Sequence, residues 1–296
     1  MPLVRGGLKI DIAILMACHN RKLITKRCID SIIRANELFH WNLKLFVVDD
    51  GSTDGTKEVL INSHLNSQVI LGSGDWYWAK SMAFAESFVP DNFQGKLWLN
   101  NDVELLPDAL QKLGHFMAAF PSSIIVGQLL DPISNSISYG GLKQIGKLKN
   151  SFKVAASKGV EDGFQTFCGN FAYIPMSISR KLGPIDGNFS HGFADLDYGL
   201  RATKASVNIL VPPTYFGYCA SNPLPGDSTL RKRLAHLLSE KRGTPLKSQI
   251  KFFRRHGGVE WPIYVIYPFI SALLGTNSRG ETRVLGRLKS MLNRFL

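Results

Sequence analysis

The first hundred residues alternate between short apolar runs and amphipathic stretches, and this pattern constrains the chain more than any other feature. Ile10 to Ala17 is an apolar run, interrupted only by Asp11, that reads as a buried strand and stops at Cys18-His19-Asn20-Arg21. Lys22 to Asn36 then carries Leu23, Ile24, Cys28, Ile29, Ile32 and Ile33 at helical spacing. LKLFVVDD predicts a second strand ending on Asp49-Asp50, followed by the turn GSTDGT and a helix from about Thr56. QVILG predicts a third strand, WYWAKSMAFAESF a third helix, and KLWLNND a fourth strand ending on Asp102. Such alternation with short connections predicts a mostly parallel α/β sheet flanked by helices. In these sheets ligands bind beyond the carboxyl ends of the strands. His19-Asn20-Arg21, Asp49-Asp50 and Asn100-Asn101-Asp102 all fall at such ends, so three strands deliver polar groups to one edge.

From Pro107 the pattern loosens. A helix is expected over 107–119, then the strand SIIVGQLL, then a Gly/Ser/Lys-rich stretch at 131–163 that predicts a hairpin or excursion over the site. Within it, 151–163 is expected to be a mobile loop. QTFCGNFAYIP restores a strand, ISRKLGPI a short helix, and HGFADLDYGLRATKAS opens a further helix with Asp195 and Asp197. Four scattered cysteines and no CxxC pair argue against a disulfide framework or a zinc site and for reduced, mostly buried thiols.

The net charge of +12 suggests a nucleic-acid binder until its distribution is seen. Residues 1–229 hold 21 Lys/Arg against 20 Asp/Glu, whereas residues 230–296 hold 14 against 3. The basic extension also contains Trp261 to Leu274, fourteen residues without a charge. As a helix it would span about 21 Å, short of a bilayer core, and Pro262 and Pro268 argue against an uninterrupted helix. Beyond it, Val284, Leu288, Met291, Leu292 and Phe295 recur at helical spacing among Arg283, Arg287, Lys289 and Arg294. This basic amphipathic pattern suits a membrane surface through 259–296; the alternatives are a cap on the protein's own core or a dimer interface. No secretory leader is evident at the N-terminus, so a cytoplasmic location is expected, peripheral on the inner face of the cell membrane.

The polar clusters permit chemistry and also plainer roles. In DDGSTDGT, Asp54 could cap the next helix, while the two carboxylates before Gly51 could meet a base or ribose. Asp102 is a hard oxygen ligand at a strand end, suited to Mg²⁺ or Mn²⁺ on a diphosphate. Asp195 at a helix start could take a proton from an attacking hydroxyl or simply stabilise the helix end. Asp197 points elsewhere and suits an i,i+4 pair with Arg201.

CHNR, VVDDGSTDGT, LNNDVELLPDAL and HGFADLDYGLRA, in that order over about residues 10–220, together resemble the inverting family 2 glycosyltransferases of the GT-A fold. GDWYWAKSMAFA and GNFAYIP are similar to bacterial enzymes that add rhamnose or related sugars to surface polysaccharides. The resemblance implies a catalytic domain over 1–229, with a nucleotide-sugar half at about 1–106 and an acceptor half at about 107–229, and a basic helical extension at 230–296. It implies a dTDP- or UDP-linked sugar donor held by Asn20, Asp49, Asp50, Gly74 and Asn101. Asp102 would hold the Mg²⁺ or Mn²⁺, and Asp195 would act as catalytic base toward a glycan or lipid-linked acceptor. Trp76, Trp78, Asn170 and His191 would form the acceptor or sugar platform, although aromatic residues opening a helix commonly serve the core. Asn100 replaces the family's usual first metal-motif aspartate, and Ala194 replaces the glutamate before the base. Cys219 stands near a histidine that relatives use at the diphosphate, a role that could be absent or pass to His191 or His256.

Two other readings are tested by the same residues. A dinucleotide oxidoreductase would need GxGxxG after the first strand, and CHNRKL offers no glycine there. A non-catalytic carbohydrate-binding or membrane scaffold would keep the fold without the chemistry.

Overall fold

In a computed structural model, the described residues are 10–145, 151–160, 162–190, 192–222 and 245–273. The chain divides into two compact units, Met1–Ser221 and Asn222–Leu296.

The first unit opens with β1 (Asp11–Cys18), α1 (Lys22–Asn36), β2 (Asn42–Asp49), α2 (Thr56–Ile61), β3 (Ser67–Leu71), α3 (Tyr77–Ser87) and β4 (Gly95–Leu99). It continues through β5 (Glu104–Leu105), α4 (Ala109–Ala119), β6 (Ser123–Val126), β7 (Gln128–Leu130), β8 (Ile137–Tyr139), β9 (Gly141–Gln144) and β10 (Phe152–Val154). The unit ends with β11 (Thr166–Phe167), β12 (Phe171–Pro175), α5 (Met176–Leu182), α6 (Ala194–Lys204), β13 (Asn208–Leu210) and β14 (Tyr215–Tyr218).

Seven strands form the main sheet in the order β13-β6-β12-β4-β1-β2-β3. All run parallel except β12, which is antiparallel to both β4 and β6. The alternation along β1 explains the layers. Ile12, Ile14 and Met16 join Cys28, Ile29 and Ile32 of α1, Leu60 of α2 and Leu110 and Leu113 of α4 in one buried core. Ala13 and Leu15, equally buried, face the side that α3 covers. A strand buried on both faces reads as a continuous apolar run, as Ile12 to Ala17 does.

Register sets the working edge. Cys18 lies opposite Asp49, and Asp49 opposite Leu71, so β1, β2 and β3 end level. Phe171 lies opposite Leu99, so the start of reversed β12 stands at the end of β4.

Two expected strands are each broken in two. SIIVGQLL divides at Gly127, where the chain leaves the main sheet as β6 and enters a second sheet as β7, beside β14 and β8. QTFCGNFAYIP divides at Cys168–Asn170 into β11 and β12, again in different sheets. Both flanks of each break are buried, so burial-driven periodicity carries no mark of the change. The 131–163 stretch does form a hairpin, with β9 paired to both β10 and β11. The part expected to be mobile is tied down. Ser157 Oγ donates to the Val211 carbonyl at 2.6 Å, the Lys158 N–H donates to Asp162 Oδ2 at 2.6 Å, and Lys143 pairs with Asp162.

The second unit contains α7 (Leu246–His256), a 3₁₀ turn at Gly258–Glu260, and α8 (Trp261–Leu273). Against expectation, Trp261 to Leu273 is one helix. Pro262 falls in the first turn, where its missing N–H has no intrahelical acceptor, while Pro268 is accommodated inside. No helix among the described residues is long and apolar enough to cross a membrane. The amphipathic pattern at 284–295 lies outside the described residues.

Candidate active site

The loops after β1 and β2 are cross-tied by side chains that bond neighbouring main chain. Asn20, at φ 50°, donates its backbone N–H to Ser52 Oγ (2.9 Å), and its Oδ1 accepts the Thr53 N–H (2.8 Å). Asp54 does cap the next helix, accepting the Thr56 N–H at 3.0 Å, and its other oxygen accepts the first N–H of α1, from Lys22, at 2.9 Å. These bonds, that of the Thr56 hydroxyl foremost, hold the Asp54 carboxyl below its ordinary value.

Asp49 and Asp50 are both buried. Asp49 Oδ1 accepts the Ser52 N–H (3.1 Å) and closes its own turn. Asp50 reaches the next connection: Oδ1 accepts from the Gly74 N–H (2.7 Å), and Oδ2 from the N–H groups of Trp76 (2.9 Å) and Tyr77 (3.1 Å). One carboxylate thus takes the N–H groups where the chain enters α3, those of Trp76 before it and Tyr77 at its first position. The loops approach so closely that a Cβ on Gly51, itself at φ 71°, would stand 2.9 Å from Gly74 Cα. A base or ribose at Asp50 would share oxygens that already accept these three N–H groups.

The three residues after β4 have separate tasks. Asn100 Oδ1 accepts from the Trp78 indole Nε1–H (2.7 Å). Asn101 is buried and donates to Thr25 Oγ1 of α1 (2.8 Å). Asp102 is half-buried: Oδ2 receives Arg21 Nη1 at 2.8 Å, and the Cys219 thiol lies 3.5 Å from Oδ1. Asn170 Nδ2 in turn donates to Cys219 Sγ at 3.6 Å.

Asp195 bonds the residue just before Asn170. Its Oδ2 accepts the Gly169 N–H (3.0 Å) and its Oδ1 the Leu196 N–H (2.9 Å). Burial pushes the Asp195 carboxyl above its ordinary value, with the two N–H bonds opposing part of the rise. Phe193, at φ 75° immediately before α6, turns the chain to set Asp195 in the helix's first turn. Asn20, Tyr77 and Phe193 are three of the six non-glycine residues at positive φ among the described residues, so backbone strain gathers at this edge. Gly169 is required by space, since a Cβ there would lie 2.8 Å from the Trp78 ring and 3.3 Å from Asp195 Cβ.

Asp102, Asp195, Asn170 and Trp78 therefore converge on Gly169–Asn170, and Asn20, Asp49, Asp50 and Gly74 form the neighbouring cross-tied loops. Trp76 is separate from the convergence: its ring packs edge-on against Phe84 at 4.8 Å and lies under Lys80. Trp78 is tied down, bonded to Asn100 and packed edge-on with Trp98. Asp197 has the structural role expected, fully buried with Arg201 Nε at 3.0 Å. His191 lies outside the described residues, and His256 belongs to α7 of the second unit. Arg21 is visible in the sequence only as part of a polar cluster, and Trp78 only as an aromatic platform; their partners Asp102 and Asn100 lie far along the chain. Burial also pushes the thiols up, Cys168 to about 12, so they remain protonated and are poor nucleophiles.

The family model of glycosyl transferase family 2 matches residues 13–183. No curated protein matches the sequence. Among solved structures, the mannosyltransferase PcManGT from Pyrobaculum calidifontis, in complex with GDP-Man and Mn²⁺, is similar at 15% identity and TM-score 0.56, over 97% of this chain and 81% of that one. S. aureus TarS 1-349 in complex with UDP-GlcNAc is similar at 11% identity and TM-score 0.53, over 91% of this chain and 82% of that one. Such distant likenesses establish the fold, and the matched model covers more than half of the residues. The chain belongs to glycosyl transferase family 2 and is a glycosyltransferase of the GT-A fold.

Proposed function

We propose that the protein moves a sugar from a dTDP- or UDP-linked donor to a hydroxyl of a glycan or lipid-linked acceptor in cell-surface polysaccharide synthesis, inverting the anomeric centre. The observation that carries this reading is that Asp195 and Asp102 reach adjacent residues, Asp195 bonding the Gly169 N–H and Asp102, paired with Arg21, linked to Asn170 through Cys219.

Asp102 fits a hard divalent cation. It is a half-buried carboxylate, and its present partner, Arg21, is itself a cation. Among the described residues no cluster of three or more His, Cys, Asp or Glu side chains could hold a metal, so diphosphate and water would complete the shell, as Mg²⁺ accepts. Mg²⁺ or Mn²⁺ bound there supplies charge neutralisation to the departing diphosphate.

Asp195 takes the proton of the attacking hydroxyl, and its raised affinity for protons favours that transfer. The Gly169 and Leu196 N–H groups fix the carboxylate's direction. Asn20, Asp49, Asp50 and Gly74 hold the nucleotide against loops that are already ordered, which lowers the entropic cost of binding. Asn101 supports this wall from beneath through Thr25. The single displacement needs no covalent enzyme intermediate.

Residues 259–296 would keep the protein at the inner face of the cell membrane, near a lipid-linked acceptor. In support, Val259, Ile263, Ile266, Tyr267 and Ile270 are exposed at helical spacing, and α7 carries Lys251, Arg254 and Arg255.

The test is a thermal-shift screen of UDP-, dTDP- and GDP-sugars with and without Mn²⁺ or Mg²⁺, followed by NMR of the product's anomeric configuration. One nucleotide series should stabilise the protein, more strongly with metal, and the product should be inverted. Retained configuration, or shifts indifferent to both nucleotide and metal, would overturn the reading.

A further inference from the structure

Arg21 and Asp102 are 81 positions apart in sequence, yet guanidinium Nη1 meets carboxylate Oδ2 at 2.8 Å. The pair is open to solvent, with side chains 46% and 30% exposed, and an ion pair so exposed is weak. The backbone beneath Arg21 is held: its N–H donates to Thr56 Oγ1 (3.2 Å), and the next N–H, of Lys22, donates to Asp54. Only the long side chain is therefore left to move. A divalent cation approaching Asp102 meets a positive charge already seated on that carboxylate. The same guanidinium offers a planar fork of donors that matches phosphate oxygens.

We infer that Arg21 is an exchangeable counter-ion: it occupies Asp102 before the donor binds, keeps free cations off, and passes to the diphosphate when cation and donor arrive together. The inference rests on the reading of Asp102 as the cation ligand. Its consequence is an order of binding. The bare cation binds poorly, and the cation–diphosphate complex binds well, because it gives Arg21 an anion in exchange for the one it releases.

The experiment is calorimetry and Mn²⁺ electron paramagnetic resonance on the full chain, using Mn²⁺ alone and Mn²⁺ with inorganic pyrophosphate. Arg21→Met should bind Mn²⁺ alone about fivefold tighter than the unsubstituted protein, and Mn²⁺–pyrophosphate about tenfold more weakly. Arg21→Lys, which keeps the charge without the fork, should leave affinity for Mn²⁺ alone unchanged while weakening pyrophosphate. It remains informative if the methionine variant unfolds. Asp102→Asn should lose Mn²⁺ binding. If Asp102→Asn loses Mn²⁺ but Arg21→Met gains none, the counter-ion role is overturned and Asp102 stays a ligand. The counter-ion role is equally overturned if Mn²⁺ alone binds neither the unsubstituted protein nor Arg21→Met. If Asp102→Asn keeps full Mn²⁺ affinity, the metal assignment itself falls.

Discussion

The loops after β1, β2 and β3 differ in construction from the segment that carries Asp195. On the first side polar side chains are anchored several times over: Asp50 accepts three N–H groups, Asp54 serves two helices, and Asn20 bonds both Ser52 and Thr53. On the second side one carboxylate is held by two N–H groups, behind a strained Phe193 and against a glycine that leaves no spare room. The first arrangement suits a wall that must be rigid before its ligand arrives. The second suits a group whose proton affinity, more than its number of bonds, decides what it does.

The largest effect should break the second side without touching the first. Asp195→Asn is expected to lower turnover about 10²- to 10⁴-fold while donor-induced thermal shifts persist. In the unsubstituted enzyme the base must be deprotonated to act. Because burial raises its pKa, kcat/KM should fall with acidification at a pH above the ordinary carboxylate range. A pH–rate profile with no acid limb there, or near-normal turnover in the variant, would remove Asp195 from the role.

Asp50→Ala should do the converse, weakening the wall. Three N–H groups would lose a charged acceptor, a loss of about 2–4 kcal/mol that calorimetry should record as a melting point roughly 5–15 °C lower. An unchanged melting point would show that water replaces the carboxylate. Trp78→Phe probes the join between the sides. Loss of its hydrogen bond to Asn100, about 1 kcal/mol, should reduce turnover roughly fivefold with little change in donor affinity. The smallest effect concerns the second unit, where Ile266→Ser should weaken binding to anionic vesicles about threefold and leave transfer to a soluble acceptor intact. Unaltered vesicle binding would move any membrane contact away from α8.

Legibility in the sequence follows the same division. The parallel core is readable because β1, β2 and β4 are buried on both faces and each stops at a polar cluster, which marks the working edge along the chain itself. Asp197 and Asp54 are readable because their partners are near in sequence. Asp50 is not: its carboxylate, the second of the pair, looks superfluous to its own turn because it serves the start of α3, more than twenty residues onward. The junctions at Gly127 and Cys168–Asn170 are hidden because strand residues resume, buried, within one to three positions although the sheet has changed. Pro262 and Pro268 mislead for another reason, since a first-turn proline is harmless and a single interior one need not end a helix.

The reversal of β12 has a further consequence. The bend that leads into this reversed strand stands at the end of β4, and its Gly169 N–H is directed at the Asp195 carboxylate. That dipole favours the anionic form of its acceptor and resists the neutral one. Burial, the larger influence, favours the neutral form, so the two oppose each other at this one carboxylate. On the proposed role of Asp195 as base, each cycle closes with discharge of its proton to bulk solvent, a resetting step expected to show as a buffer-dependent rate once glycosyl transfer is fast.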